Sequence, residues 1–546
     1  MKYKSIIKQV VKGFLFCLSS GMLLTGCGSK KQDSAASGGD IATEVRYELD
    51  ENTPAWKLDP QEMTELTWYV NAEWWNTEWG KDIVTKQIEK DLNVKIKFIV
   101  GDDTTLNTLF AGDTMPDLIS VFDASSQVAL KADTWAQPLY ELADKYDPYF
   151  RKVASDETLN WLSLGDGKSY GYADYSNTQE DYESGDIFAK TAFVIRKDVY
   201  EAIGEPAMGT QKEFMEAMAQ IKEKFPELYP LGFNAFTTDS TGSMGEPFQD
   251  FLGVPLTDED GSFYDRNLDE DYLSWIRTFN EAYRNGYISD DSFADDETAF
   301  EERLKVGKYA CIMMDGIPQC SGFLTSFMDE NKDAMYLAID GPQSVAGNKP
   351  TLNQAGISGW MVSYITKSCK DPAKAIQLFT YLLSEEGQIL TSYGIEGVSY
   401  TINEEGRYEM LPEVKAMQLS DNDRFKKEYR IGEFIFFGHD RYKALSDDAY
   451  PESIQQMQKW GEGKLVPHFI LENTSPDAGT AEARTNTLVT TEWTTALASL
   501  LRAGSEEEFD GILADFKQFL EENNWEAVIA VKNEKMKINE EKLGYE

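Results

Sequence analysis

The chain has 546 residues, 94 acidic against 52 basic side chains, and a formal net charge of −42 at pH 7. That length implies two or more lobes, and 42% hydrophobic with 12% aromatic residues excludes a disordered acidic chain. The charge argues against nucleic acid and anionic lipid as partners, and five Cys with two His leave little for a zinc site or a disulfide framework.

The first segment carries Lys2, Lys4, Lys8 and Lys12, followed by an apolar run from Gly13 to Gly26. Such a run is too short to span a bilayer and has the form of a signal-peptide core over residues 1–26. It ends in Leu24-Thr25-Gly26-Cys27, which resembles the bacterial lipobox. The resemblance implies that Cys27 becomes the lipid-bearing first residue, with palmitate as a marker, and that the protein is anchored on the outer face of the cell membrane. The other reading is ordinary signal cleavage beside an incidental Cys. Residues 27–60 are rich in Gly, Ser and charge without apolar periodicity, so a flexible spacer is expected there, with Trp56 read as a linker residue docking on the folded body.

Leu66–Val70 is β-branched and aromatic and predicts a strand; Ile83, Val84, Ile88 and Leu92 follow at helical spacing. Val94–Val100 alternates as a second strand, Thr104–Phe110 predicts a short helix, and Asp117–Val121 a third strand. This β-α-β-α-β order predicts an α/β fold with a parallel sheet covered by helices, and places ligands outside the carboxyl ends of the strands. A turn at Asp166–Lys168 leads through Ser169–Tyr172 to a second unit: a strand at Ala192–Arg196, then helices at Val199–Ile203 and Gln211–Phe225.

Several passages resemble, in order, those of the extracellular solute-binding proteins of ABC importers, family 1 and maltose-binding type. They are Ala111-Gly-Asp-Thr-Met-Pro-Asp117, Arg196-Lys-Asp198 with Gly204 and Pro206, Gly307-Lys-Tyr-Ala through Gly316, Cys369-Lys-Asp-Pro-Ala, and Tyr393-Gly-Ile-Glu-Gly397. The resemblance implies a two-lobed periplasmic-binding-protein-like fold of class II type with a hinge. Residues 61–165 plus 357–420 would form one lobe, and 166–356 plus 421–546 the other. It further implies capture of a solute for a membrane permease, no enzymatic activity, no cofactor and a monomer. One departure stands out: Gly316 is followed by Ile317-Pro318-Gln319, where maltose-type binders often place Pro-Trp for ring stacking.

The loop Asn71-Ala-Glu-Trp74-Trp75-Asn76-Thr-Glu78-Trp79 directly follows the first strand. Sugars offer C–H faces to aromatic planes and hydroxyls to carboxylates and amides, so Trp74 and Trp75 are candidate ligand contacts. The alternative is that these indoles seal the sheet edge, which suits Trp79 best. Asp123, after the third strand, either accepts sugar hydroxyls or caps the segment from Ala124. Trp360, flanked by Gly356 and Gly359, is a further cleft candidate or a core residue. His439 and Arg441, beside the aromatic run Phe434–Phe437, are either second-lobe contacts or a satisfied histidine and a surface ion pair. No nucleophile elbow, phosphate loop or His-Glu-x-x-His motif occurs. An extracellular glycoside hydrolase working through paired carboxylates, or a binder of a non-sugar solute such as a peptide, remain the competing classes. Cys311, Cys320 and Cys369 read as buried thiols, with a Cys311–Cys320 bridge as the alternative.

Overall fold

In the computed structural model, which describes residues 45–112, 114–238, 240–317, 320–446 and 451–544, two sheets organise the chain. The first has the strand order β2-β1-β3-β9-β4, from β1 (Thr64–Val70), β2 (Val94–Val100), β3 (Leu118–Phe122), β4 (Gly171–Ala173) and β9 (Met361–Ile365). β1 runs parallel to β2 and β3, and β9 returns antiparallel between β3 and β4. The second sheet has the order β6-β7-β5-β8, from β5 (Thr191–Arg196), β6 (Tyr229–Phe233), β7 (Tyr309–Asp315) and β8 (Tyr336–Ala338). β6 and β7 are parallel, and β5 is antiparallel to both β7 and β8. A hairpin of β10 (Tyr400–Ile402) and β11 (Tyr408–Met410) stands apart from both sheets.

The first sheet is pinned by buried polar side chains as well as by its ladder. Trp68 Nε1 donates to Ser120 Oγ at 2.8 Å, and Ser120 Oγ meets Ser363 Oγ at 2.7 Å, so one hydrogen-bonded line crosses β1, β3 and β9. Asp117 accepts from the amide and hydroxyl of Thr67 at 2.7 Å and from the Lys370 amide at 2.8 Å. The carboxylate closing the Gly-Asp-x-x-Pro-Asp passage is therefore a structural pin, consistent with the rule that buried carboxylates are hydrogen-bonded. The helix Ile83–Leu92 starts where Asp82 accepts the Thr85 amide and stops at Asn93 in a left-handed conformation. The helix Pro372–Leu383 is buried along its whole length and packs between this sheet and the chain's N-terminal part.

Two expectations about boundaries are corrected. Residues 45–60 are tied to the body at Arg46, Tyr47 and residues 55–59 rather than forming a free spacer, and Trp56 docks on it as read from the sequence. Trp56 is buried edge-to-face on Tyr381 at 5.3 Å, while Arg46 bridges Asp59 at 2.9 Å and Asp371 at 3.1 Å, and Lys374 reaches Asp59 at 3.1 Å. A segment without periodicity is held here by one indole and a cluster of opposite charges, which no local pattern announces. The lobe boundaries also move. β4 pairs with β9 in the first sheet, and Phe434, Phe436 and Phe437 join the same core, with Phe436 stacked 3.8 Å from Trp68. The first sheet thus reaches beyond 165 to Ala173, and residues through Leu445 pack on the same lobe.

The chain passes between lobes after β4, before β9 and beyond Leu445, whose carbonyl still accepts the Tyr408 amide at 3.0 Å. The first two crossings run side by side, with the Asn177 amide on the Gly356 carbonyl at 3.1 Å. Cys311, Cys320 and Cys369 are buried free thiols, and burial pushes the Cys311 thiol well up. Cys27 and the Pro318-Gln319 departure lie outside the described residues. Among the described residues no helix is long and apolar enough to cross a membrane.

Candidate functional site

β1 and β3 end at the same edge at which antiparallel β9 begins, because Phe122 is paired with Met361. The loop after β1, Phe122 and Trp360 therefore meet at one carboxyl edge. Trp74 is 65% exposed and Trp360 43% exposed, yet their rings stack 6.3 Å apart at 27°. Phe122 lies 4.8 Å from Trp360 and 6.2 Å from Trp74. Three rings from three distant parts of the chain form a solvent-facing aromatic platform. Single exposed apolar residues need no explanation, whereas a contiguous exposed patch marks an interaction site.

The platform is held from beneath. Trp75 is only 5% exposed and packs 4.6 Å from Phe436, so of the two adjacent indoles expected at the ligand, one is core. The physical reason is alternation: the chain turns at Trp74, and the next side chain drops into the apolar layer over Trp68. Fully buried Arg430 donates to the carbonyls of Glu78 at 2.5 Å and Asn76 at 2.6 Å, fixing the rest of the loop. Trp79 Nε1 donates to Glu89 at 3.0 Å, which places it at the sheet edge. Under Trp360, the Asp174 carbonyl accepts the Trp360 amide at 3.2 Å, and Asp174 Oδ1 accepts the Met361 amide at 2.7 Å. Gly359 has φ of +67°, and a Cβ there would lie 2.2 Å from the Asp174 carbonyl oxygen, so this approach requires glycine. Burial raises the Asp174 carboxyl well above the usual carboxylate range.

Asp123 is exposed beside Phe122 with φ of +73°, a strained value for a non-glycine residue. Its Oδ1 accepts the Ser125 amide at 2.8 Å and the Ser125 hydroxyl, so it caps a turn at the platform's rim. His439 and Arg441 are not brought to the platform. His439 Nε2 stands 3.3 Å from Asp181, and its Nδ1 accepts the Arg441 amide at 3.3 Å. Arg441 is exposed, with its guanidinium 5.1 Å over Tyr442.

The corresponding edge of the second sheet is chemically different. Asp315 ends β7; its carboxylate accepts the Thr191 hydroxyl at 2.6 Å, and its amide donates to Asn234 Oδ1 at 2.9 Å. Beside it opens a crevice of about 310 Å³ lined by Lys190, Glu246, Asp250, Asp315, Asn353 and Trp493 among others. Arg266 donates to Asp250 at 2.7 Å, yet burial pushes the Asp250 carboxyl up to about 7. His468 Nε2 lies 2.9 Å from the Thr351 carbonyl, which places its proton on Nε2 and leaves Nδ1 to accept from Asn353 at 3.2 Å. Burial lowers His468 to about 4, so its ring is neutral at pH 7. Glu246, Asp250 and His468 bring donor atoms within 4.8 Å of one another. Arg266 holds Asp250 Oδ1 at 2.7 Å and Asn353 meets His468 Nδ1 at 3.2 Å, while Asp250 Oδ2 faces His468 Nδ1 at 3.9 Å. The buried Trp493 Nε1 and Asn353 Oδ1 have no protein partner. None of these second-lobe residues except Asp315, which closes the Gly307–Gly316 passage, belongs to a recognisable motif.

Residues 73–389 match the family of bacterial extracellular solute-binding proteins. Among solved structures, the alginate-binding protein AlgQ2 without calcium ion is 15% identical, with 87% of this chain and 98% of that one covered at a TM-score of 0.60. The S. pneumoniae ABC-transporter substrate-binding protein FusA in complex with kestose is 14% identical, with 87% and 99% covered and a TM-score of 0.62. An HMO-binding solute-binding protein from Bifidobacterium longum infantis is 14% identical, with 88% and 99% covered and a TM-score of 0.63. At these identities the likeness is one of fold. No curated protein matches the chain.

Proposed function

This chain belongs to the bacterial extracellular solute-binding proteins of ABC importers, which bind rather than catalyse, and from that premise we propose that its solute is an oligosaccharide gripped between the two carboxyl edges. The observation that carries the reading is the exposed stack of Trp74 on Trp360, backed by Phe122. Pyranose and furanose rings present C–H faces to such planes, while hydroxyls need the carboxylates and amides that the opposite edge supplies at Asp315, Glu246 and Asn353. A peptide would need an unpaired strand edge or charge matched to its termini, and the platform is neither. In the same fold FusA carries kestose and the Bifidobacterium protein binds HMO, which supports a carbohydrate here. Asp123 contributes its outer carboxylate oxygen at the rim. His439 and Arg441 serve, in this reading, as supports around the hinge rather than as first contacts.

Closure of the lobes around the sugar would hand it to the permease, because only the closed form touches ligand with both edges. The protein works as a monomer tethered to the outer face of the membrane through Cys27. Titrating tryptophan fluorescence against a panel of glycans tests the sugar reading; a flat response to every glycan, with a response to peptides, overturns it. Labelling with palmitate tests the tether, and persistence of label in Cys27→Ser removes it.

A further inference from the structure

The last helix, Trp525–Leu543, is rooted in the second lobe and touches the first with its tip. At the root, Trp525 packs against the second-lobe core and its Nε1 donates to Asp265 at 3.2 Å, while Asn533 Oδ1 accepts the Phe263 amide at 2.7 Å. At the tip, the Lys542 ammonium donates to the carbonyls of Trp161 at 2.6 Å and Ser163 at 2.9 Å. Asn160 Nδ2 returns the contact, donating to the Lys542 carbonyl at 2.5 Å. These partners end or follow the helix Asp156–Trp161, which is a first-lobe element. Its Leu159 lies in the core under the first sheet, and the Ser155 amide before it donates to Tyr172 Oη of β4 at 3.0 Å. A lysine on the last carbonyls of a helix is a cap, and here the other lobe supplies it.

Between root and tip the same helix is tied to the crossing that precedes β9. Asn539 Nδ2 donates to the carbonyls of Ile470 at 3.0 Å and Glu472 at 2.8 Å. The side-chain oxygens of Glu472 accept the amides of Ile357 at 3.1 Å and Ser358 at 2.9 Å, and Ser358 Oγ accepts Trp161 Nε1 at 2.9 Å. A closed circuit of hydrogen bonds thus runs from the last helix through Glu472 and the crossing to the first lobe, and back at Lys542. Leu543 packs against the small apolar cluster of Trp161, Ile357 and Phe469 inside that circuit. Beside the circuit the helix stands off the first lobe. A crevice of about 250 Å³ separates Lys535 and Ile538 on the helix from Tyr170 and Tyr364 on the sheet. The lobes are therefore joined at the tip, with open space alongside it.

We infer that the helix Trp525–Leu543 is a strut that sets the resting angle of the lobes, its tip at Trp161 and Ser163 holding the cleft open until a solute closes it. The arrangement it braces is the uncovered one, since Trp74 is 65% and Trp360 43% exposed here. Root and tip lie on different lobes, so rotation about the paired crossings disturbs the tip contacts and leaves the root untouched. Closure then costs the bonds at Lys542 whatever the solute is, and apparent affinity is reduced by the fraction of molecules free to close. The strut acts on the equilibrium between forms and touches neither the platform nor the opposite edge. It does not depend on the solute being a sugar.

Small-angle scattering and amide hydrogen exchange on the full chain without added solute test it. Lys542→Met keeps the aliphatic stem and removes the donor; its radius of gyration falls, and the Ile357 and Ser358 amides exchange faster. Lys542→Arg, which can donate to both carbonyls, keeps the parent values. Asn160→Ala, at an exposed position, shifts both readouts the same way by less, and it decides the matter if Lys542→Met melts early. Calorimetry with kestose, maltotriose and mannotriose adds a second reading: whichever of them bind do so more tightly in Lys542→Met by one common factor, roughly fivefold. An unchanged or larger radius with unchanged exchange at Ile357 and Ser358, in variants that melt normally, overturns the strut. So does a change in preference among the trisaccharides, which would place Lys542 at the solute. Failure of all three to bind overturns nothing here and counts against the sugar reading alone, because scattering and exchange decide the strut without them.

Discussion

The two carboxyl edges do the same topological job with opposite chemistry. The first lobe offers exposed rings, Trp74, Trp360 and Phe122, set on a rigid apolar layer. The second offers Asp315, Glu246, Lys190 and Asn353 around a crevice, with buried donors and acceptors waiting behind them. Stacking tolerates rotation of a ring about its normal, whereas hydrogen bonds to a carboxylate or amide do not. Under the proposed oligosaccharide reading the contrast implies a division of labour: the first lobe would collect sugars by shape, and the second would read hydroxyl positions once the lobes close.

The sharpest way to break this contrast lies within the first lobe itself, between adjacent tryptophans. Trp75→Ala removes a buried ring and should cost about 3–5 kcal/mol of stability, seen as a large fall in Tm. Were it to melt normally, the platform would have no rigid floor. On the second lobe, Asp315→Asn keeps the Thr191 contact but loses a charged acceptor; affinity for the bound glycan should fall by about 1.5–3 kcal/mol in calorimetry, with selectivity between epimers reduced. Equal losses for all epimers would contradict the reading role given to this edge.

Trp74→Ala and Trp360→Ala should each weaken glycan binding roughly tenfold, counting the ring contact of about 0.5–1.5 kcal/mol together with lost area, and leave Tm nearly unmoved because both rings are exposed. A Tm drop comparable with that of Trp75→Ala would make them structural.

The smallest effect is electrostatic and belongs to the second edge. His468 is lowered to about 4 by burial, so its ring should stay neutral, with the proton on Nε2, from pH 7 down to that value in an NMR titration. The unfolded chain takes a proton from about pH 6.5 downward while the folded one resists, so the contribution of this ring to stability falls between those two pH values and levels off below them. His468→Gln should flatten that slope. Asp250 works in the opposite sense: its carboxyl, pushed up to about 7, keeps its proton in the folded state, and stability declines as pH rises from the usual carboxylate range towards neutrality.

What could be read along the chain was whatever local chemistry announces. Alternation in Val94–Val100 and helical spacing in Ile83–Leu92 reproduce as β2 and the helix after β1, since each pattern is the imprint of one buried face. The loop carrying Trp74 was legible for the same reason: aromatics and amides directly after a strand stand at its carboxyl end. Gly359 was legible as a site of close approach, and Asp174 is what it approaches. The strand contacts of Trp75, by contrast, depend on Phe436, some 360 residues later, and nothing near Trp75 distinguishes it from Trp74. The docking of residues 45–60 likewise depends on Asp371 and Lys374, far along the chain.

By itself the sequence determined the two-lobed α/β plan, the solute-binding family and one aromatic loop, because strand-helix alternation and ordered short passages are local properties. Only the tertiary structure decided which indole faces solvent, that Trp360 joins Trp74 across β1, β3 and β9, and that Lys190, Glu246, Asp250, Asp315, Asn353, His468 and Trp493 line or back one wall. Those are questions of which distant segments meet, and side-chain burial and pKa follow from the neighbours found there rather than from the residues alone.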